Sequence, residues 1–405
     1  MTQHPNSLLD EIFDTALSGP RIFSQKSVLF HEYVPSRLLF REDQTRSLAY
    51  LFSPLLRGER SSNVFIYGKP GTGKTVVTKL VISKLQDRAH RAGAPISFCY
   101  VNCRVEGSEY RVAASLARTL GQDIPFTGLS VKEVFNRFTT ALFSAGVTLL
   151  VVLDEIDCLV SRYGDDLLYM LTRLNKPQAE SSIVIVGISN DVRFKEYLDP
   201  RVLSTLSEEE VVFTPYNSIE LEAILSARVS HAFQDGVVAP EALQLCASIS
   251  GSQHGDARRA LDLLRLAGEL VERSGGPVVT VQHIHLAEQT MEKDRVTEVV
   301  HSLPLHSKLV LAAVLNCLEE TKARVRSSII YGRYVSLSRD LGTRALSSRR
   351  VLGLLRELSL LGLVDKRVEN YGRRGGRVTM VELDAPLGLV RRALSDDALV
   401  AELFS

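Results

Sequence analysis

The sequence has no tryptophan, only four methionines and only five cysteines in 405 residues. The missing tryptophan excludes nothing, but the cysteine usage does. Cys99, Cys103, Cys158, Cys246 and Cys317 are scattered, and only Cys99 and Cys103 fall close together. No second Cys/His pair completes a zinc spacing, so the five read as reduced thiols, neither a disulfide frame nor a metal centre. His283 and His285 alternate near a turn without a ligand set around them. No apolar run reaches the length of a membrane span, and the polar start Met1 to Asn6 is no secretory signal. Internal repeats and low-complexity tracts are absent as well. These absences predict a soluble, cytoplasmic chain with no membrane partner.

Net charge is nearly absent too, at +1, but the balance hides an asymmetry. Residues 301–405 carry 17 Lys/Arg against 11 Asp/Glu, while the preceding 300 carry 31 against 36. Within 322–377 the ratio is 14 basic to 4 acidic. Such a basic end points to an anionic polymer as its partner. The 45% hydrophobic content supports real cores, and the length suggests about two to four domains.

What is present centres on Gly68-Lys69-Pro70-Gly71-Thr72-Gly73-Lys74-Thr75, which fits the G-x-x-x-x-G-K-[ST] phosphate-binding loop at every fixed position. The apolar run Asn63 to Tyr67 precedes it as a strand, and Val76 to Leu85 follows with helical spacing. Glycines such as Gly71 and Gly73 let backbone N–H groups close around phosphate oxygens. Thr72 and Val76 complete the cradle, Lys74 brings a point charge to the β/γ-phosphates, and Thr75 offers a hydroxyl to Mg²⁺.

Further elements come in order along the chain. An amphipathic piece, Leu8 to Leu17, ends at Ser18-Gly19-Pro20. Val28 to Phe40 is irregular, and Arg41-Glu42-Asp43-Gln44 opens a helix to about Arg57, with Pro54 marking a kink or a final tight turn. Ile96 to Asn102 reads as a strand, Ser108 to Leu120 as a helix, and Gly121 to Gly128 as a turn-rich break. Val131 to Ser144 is helical behind the N-cap Ser130. Leu149 to Leu153 reads as a strand buried on both faces, expected beside the phosphate-loop strand and ending in Asp154-Glu155-Ile156-Asp157. Asp165 to Leu174 is a helix, Ser182 to Ile188 a strand ending in Ser189-Asn190, and Val211 to Phe213 a last short strand. Strands alternating with helices through 60–215 predict an α/β domain with a parallel sheet. The pattern then turns all-helical, from Ile219 behind Ser218 through Pro240–Ser250, His254–Ser274 and Thr280–Asp294, with a boundary near 295. Beyond it come helices at Leu305–Leu318, Ser336–Leu341 and Ser347–Leu361, the last with Gly362 as its cap and Val351, Leu354, Leu355, Leu358 and Leu361 as its apolar stripe. Val364–Val368 and Arg377–Leu383 form a hairpin around a basic glycine tip. Three helices and such a hairpin describe a winged helix.

Each motif implies a chemistry. Asp154 is placed to hold Mg²⁺, and Glu155 to orient and deprotonate an attacking water. Asp157 is either a cap or a functional acid. Asn190 can hydrogen-bond the γ-phosphate or the water. Arg258, in Gly255-Asp256-Ala257-Arg258, can reach a nucleotide between the two subdomains or stand solvated on its helix, and Arg201 in Pro200-Arg201 carries the same two readings. Ser347, Ser348, Arg349 and Arg350 start a helix suited to base edges and phosphates. Arg373, Arg374 and Arg377 at the hairpin tip suit a minor groove.

In their order, the phosphate loop, Asp154 to Asp157, Ser189-Asn190, Pro200-Arg201 and Gly255 to Arg258 resemble AAA+ ATPases. With the C-terminal winged helix, the chain resembles an archaeal replication initiator of the origin-recognition type, from about Arg21 to Leu383. Val34-Pro35 with Leu39 to Gln44 resembles that family's adenine-side segment, and Asn102-Cys103 through Phe138 resembles its helical insertion. Phe213 to Tyr216 with Glu220 to Arg228 resembles its passage into the lid.

The resemblance implies an N-terminal segment at 1–26, a P-loop AAA+ domain at 27–217 with the insertion near 103–138, an all-α lid at 218–294 and a winged-helix domain at 295–405. It implies ATP or ADP with Mg²⁺, Asn190 and Arg258 as first and second sensors, Arg201 as arginine finger, and Tyr216 and Ile224 beside the base. The insertion would touch DNA through Thr127 and Gly128 by backbone and apolar contact. The function implied is an ATP-dependent initiator binding duplex DNA at origins, associated with the nucleoid, hydrolysing ATP slowly as a switch and helping to recruit the replicative helicase. Other initiator copies on the same DNA are a further partner. A winged-helix transcription or signalling regulator switched by ATP is the alternative, and a clamp-loader-like subunit the third reading.

Overall fold

Five segments pair as a parallel sheet: β1 (Asn63–Gly68), β2 (Ile96–Asn102), β3 (Thr148–Asp154), β4 (Ser182–Ser189) and β5 (Glu208–Phe213). The computed structural model describes residues 21–35, 37–175, 181–206, 208–253, 255–321, 323–370 and 377–404. The expected helix Leu8–Leu17 lies outside these residues. Strand order is β2-β3-β4-β1-β5. The expectation that β3 adjoins the phosphate-loop strand is therefore corrected: β4 lies between them, paired to β1 through Val64 and Val186 and to β3 through Leu153 and Gly187. Being buried along its whole length, β4 is suited to the centre of the sheet.

The period of two along each strand sorts its side chains between two cores. Phe65, Val101, Val151, Leu153 and Ile185 pack on one side with the helices Glu109–Thr119 and Val131–Ala145. Val64, Ile66, Val152, Val184 and Val186 pack on the other with Val77 and Val81 of the helix Lys74–Ala92 and with Leu48 and Phe52 of the helix Glu42–Phe52. Gly187 faces Phe65, and a Cβ there would meet the ring at 2.5 Å. Pro54 stands in a 3-10 turn, Ser53–Arg57, as the tight-turn reading required.

Ser108 and Ser130 accept the N–H groups of Arg111 and Glu133, capping the helices Glu109–Thr119 and Val131–Ala145. Between these helices, Ile124 is buried while Phe126, Thr127 and Gly128 are exposed. Short helices at Cys103–Glu106, Ile156–Tyr163 and Pro200–Leu206 carried no signal strong enough to predict them. The lid comprises Ser218–Ala232, Pro240–Gln253 and Ala257–Ser274. Its first helix is capped by Asn217 rather than Ser218: Asn217 accepts from the Glu220 N–H while the Glu220 side chain accepts from the Asn217 N–H. That reciprocal box satisfies two orphan donors together, which a lone serine would not.

The chain divides into two units, residues 1–284 and 285–405. The division and the boundary expected near 295 both fall inside one continuous helix, Val281–Ser302. The second unit has its own core around the helix Leu305–Thr321. The short helix expected at Ser336–Leu341 is instead Ser327–Asp340, with Ile330, Tyr334 and Leu337 as its inward face. The helix Ser348–Leu360 comes next, then the hairpin of β7 (Val364–Asn370) and β8 (Arg377–Leu383), with a two-residue strand β6 (Val325–Arg326) on β8. Val351, Leu354, Leu355 and Leu358 are buried as the stripe predicted, but Leu361 is 42% exposed, because the helix has ended and the chain turns at Gly362 with φ +67°. A closing helix, Leu387–Ser395, packs on the same core and carried no cap signal in the sequence.

Candidate functional site

The loop Gly68–Thr75 joins β1 to the helix Lys74–Ala92 within the first unit. Gly71 has φ +71°, and a Cβ there would sit 1.6 Å from Asp256 Oδ1; Gly73 has φ +93°. Only glycine supplies this backbone while admitting the lid so closely. The lid in turn bonds the loop directly, the Ala257 N–H donating to the Gly71 carbonyl at 3.2 Å. Asp256 caps its own helix, accepting the N–H groups of Arg258 and Arg259.

Lys74 is 5% exposed. Its ammonium donates to the Gly68 carbonyl at 2.6 Å, the Lys69 carbonyl at 2.8 Å and Asn190 Oδ1 at 2.8 Å. Burial, then the nearby Arg258 charge, pulls its pKa down to about 8, against the opposing pull of Asp154, Asp157 and Asp256. Asn190 is thus brought to the loop, and its own N–H donates to Asp157 Oδ1 at 3.4 Å. Asp157, left open between cap and function, holds the Asn190 backbone; burial raises its pKa.

Thr75 Oγ1 donates to Asp154 Oδ2 at 2.9 Å even though β4 intervenes between their strands. Both side chains stand at the C-terminal edge of the sheet, where open α/β folds gather ligands. A hydroxyl and a carboxylate are hard oxygen donors of the kind Mg²⁺ takes, so the pair fits the ion. Asp154 also accepts from the Tyr100 hydroxyl and from the Glu155 N–H. Glu155 has φ +53°, an uncommon backbone for a non-glycine residue that costs on the order of 1–3 kcal/mol and collects at functional sites. One of its carboxylate oxygens takes Asn102 Nδ2 at 3.4 Å and the other pairs with Arg104 at 3.5 Å. Asn102 and Arg104, like Tyr100, are site neighbours that sequence reading missed. The alternation of Tyr100 and Asn102 on one face of β2 was the available signal.

Beside the loop a cleft of about 250 Å³ opens between the α/β layer and the lid. Of the residues expected beside a nucleotide, Pro35, Gly71, Gly73, Thr75, Val76, Tyr216, Ile224 and Arg258 line it. Val34 does not. It is 39% exposed, while its neighbours Tyr33 and Pro35 line the cleft, an alternation natural to non-helical backbone. Phe30, Leu38, Leu39 and Leu261 add apolar wall, and Arg228, stacked on Tyr33 with its charge 4.7 Å from the ring centroid, closes one side. Thr72 is wholly buried, its hydroxyl turned back to the Lys69 carbonyl at 2.8 Å.

Arg41 is the second omission. It is 3% exposed and donates to the Thr72 carbonyl at 2.9 Å and the Thr214 carbonyl at 2.6 Å, with its guanidinium 3.8 Å from the Tyr216 ring centroid. One planar fork thus ties the phosphate loop to the exit of β5 and to a wall of the cleft.

Arg201 does not join this cleft. It is exposed and held in a fork by Asp199, with both bonds at 3.0 Å. In the second unit, Ser347, Ser348, Arg349 and Arg350 form one exposed helix start, with Ser347 accepting the Arg350 N–H. Arg373 and Arg374 lie outside the described residues, and of Arg377 only the backbone at the start of β8 is described.

Comparison with known proteins gives three family matches: "AAA domain" over residues 57–193, "Cdc6 AAA+ ATPase-type lid domain" over 222–289, and "CDC6, C terminal winged helix domain" over 298–393. The chain is 44% identical over 400 residues to the ORC1-type DNA replication protein 1 of Sulfurisphaera tokodaii, covering 98% of this chain and 99% of that one. It is 43% identical to the protein of the same description from Archaeoglobus fulgidus, over 95% and 94% of the two chains. Among solved structures, the Aeropyrum pernix ORC1 protein in complex with DNA superposes with a TM-score of 0.84 at 44% identity, over 95% of this chain and 99% of that chain.

Proposed function

We propose that this chain, which belongs to the family of ORC1-type DNA replication proteins, binds duplex DNA at replication origins under the control of ATP bound with Mg²⁺. The observation that carries this reading is the meeting of Lys74, Thr75, Asp154 and Asn190 around one phosphate loop, in a chain whose other unit exposes Arg349 and Arg350 at a helix start. ATP lies in the cleft, with its phosphates on Gly71 to Thr75 and its base beside Pro35, Tyr216 and Ile224. Thr75 and Asp154 hold the ion, which neutralises charge on the β- and γ-phosphates. Glu155 orients the water, Asn190 and Arg258 read the γ-phosphate, and Arg201 serves a nucleotide on a neighbouring copy. Hydrolysis is slow and works as a switch.

Arg349 and Arg350 contact base edges or phosphates, Arg373, Arg374 and Arg377 enter a minor groove, and Thr127 and Gly128 add a further DNA contact by backbone and apolar contact. The bound protein then helps to recruit the replicative helicase. The DNA part is supported by the Aeropyrum pernix ORC1 protein, whose structure contains DNA.

Fluorescence anisotropy with short duplexes tests the reading. Repeats from the organism's own origin should bind more tightly than random duplex at moderate salt, and equal affinity would sink the origin role. Arg349→Ala with Arg350→Ala should lower the slope of log K against log salt by about 0.9 for each phosphate no longer neutralised. An unchanged slope and affinity would remove this helix start from the interface.

A further inference from the structure

Asp154 Oδ2 accepts two hydroxyl hydrogens, from Thr75 at 2.9 Å and from Tyr100 at 2.6 Å, while Oδ1 accepts the Glu155 N–H at 2.9 Å. An ionised carboxylate oxygen has about two acceptor sites, so Oδ2 is fully used. Thr75 has a lone pair left for a cation while its hydrogen points at Asp154. The direction of that lone pair therefore depends on where Asp154 Oδ2 stands. Tyr100 is the other group that fixes it.

Tyr100 itself is held firmly for a residue that is 42% exposed. Its backbone pairs with β3, opposite Val152, two residues before Asp154. Its ring lies beneath Lys79, whose ammonium is 4.6 Å from the centroid and whose helix begins at Lys74. Sheet edge and phosphate-loop helix thus clamp the ring between them.

We propose that Tyr100 is a positioning residue of the divalent-cation site: its hydroxyl sets the orientation of Asp154 and, through Asp154, the metal-binding lone pair of Thr75. The proposal rests on the reading of Thr75 and Asp154 as the pair that holds Mg²⁺. Tyr100 is not among the residues lining the cleft, and it acts through the carboxylate, as partners of metal ligands do elsewhere, where their loss costs about 10–100-fold in metal affinity.

The test is binding of a fluorescent ADP analogue to the full chain, with Mg²⁺ titrated and with EDTA. Tyr100→Phe keeps the ring and its contact with Lys79 and removes only the donor. The Mg²⁺ concentration that half-saturates the tightening of ADP binding should rise about 10-fold, while affinity in EDTA stays within about twofold of wild type. A residue that merely supported the loop would lose affinity equally in EDTA, and that result would overturn the proposal. So would an unchanged Mg²⁺ midpoint beside a wild type that responds to the ion. A wild type whose ADP affinity ignores Mg²⁺ would overturn the Thr75–Asp154 reading itself, and the proposal with it.

Discussion

Lys74 directs all three of its N–H bonds at the chain, to two loop carbonyls and Asn190, and burial has already weakened its hold on a proton. A bound phosphate would restore that hold, because an opposite charge at close range favours the ammonium. With a free-protein pKa of about 8 raised by nucleotide, binding takes up a proton above about pH 8, and affinity falls as pH rises from 8 to 9.5, by up to about tenfold per unit. Titration calorimetry at pH 8.5, in two buffers of different ionisation heat, should show that uptake. Its absence would place Lys74 away from the phosphates. The fixed spacing of the phosphate loop made Lys74 and Thr75 legible in the sequence. Arg41 and Tyr100 were not, because their partners Thr72, Thr214 and Asp154 lie 31, 173 and 54 residues away, and no local pattern encodes such meetings.

Caps and stripes explain why most helices stand where the sequence put them, and their absence explains the rest. Ser108, Ser130 and Ser347 each precede a helix and each accepts an N–H at its start. The helix Ser327–Asp340 begins after Arg326, which gives no side-chain cap, and carries Gly332 within it, so only its last turn was legible. The helix Leu387–Ser395 likewise begins without a side-chain cap. Just beyond its end, a buried ion pair anchors the chain: Lys308 Nζ bonds Asp397 Oδ2 at 2.6 Å, with the two side chains 3% and 6% exposed. Burial pushes the Asp397 carboxyl up, but the Lys308 bond and charge and the Leu399 N–H together outweigh it and hold the pKa below the ordinary value. Such a group stabilises above its unfolded pKa, near 4, and the contribution is lost as pH falls through the lower folded value. Asp397→Asn should therefore destabilise the second unit at neutral pH, by about 3–5 kcal/mol for a buried charge left unpaired. The deficit should narrow below pH 4. Urea unfolding at pH 7 and pH 3 measures both, and equal stability of the two proteins at pH 7 would contradict the account.

Two units with separate cores make the whole molecule a poor two-state system. Nucleotide should stabilise only the unit that holds the cleft, by about 2.7 kcal/mol at a hundredfold excess over its dissociation constant. Scanning calorimetry with ADP and Mg²⁺ should raise one transition and leave that of residues 285–405 in place; a common shift of both would show the units to be coupled. The sequence by itself determined the class of the molecule. Apolar runs and helical spacing specified the sheet, the all-helical stretch after it and the winged helix, and the phosphate loop specified the ligand chemistry, because each is a pattern within a few residues. Charge counting placed the basic end. Only the tertiary structure decided that β4 stands between the phosphate loop and Asp154, that Val34 leaves the cleft wall, and that Arg41 and Tyr100 brace the site. Strand order and side-chain meetings depend on which surfaces pack together after the chain has closed on itself. Parallel pairing in particular is made over long separations, where local sequence holds no record of the neighbour.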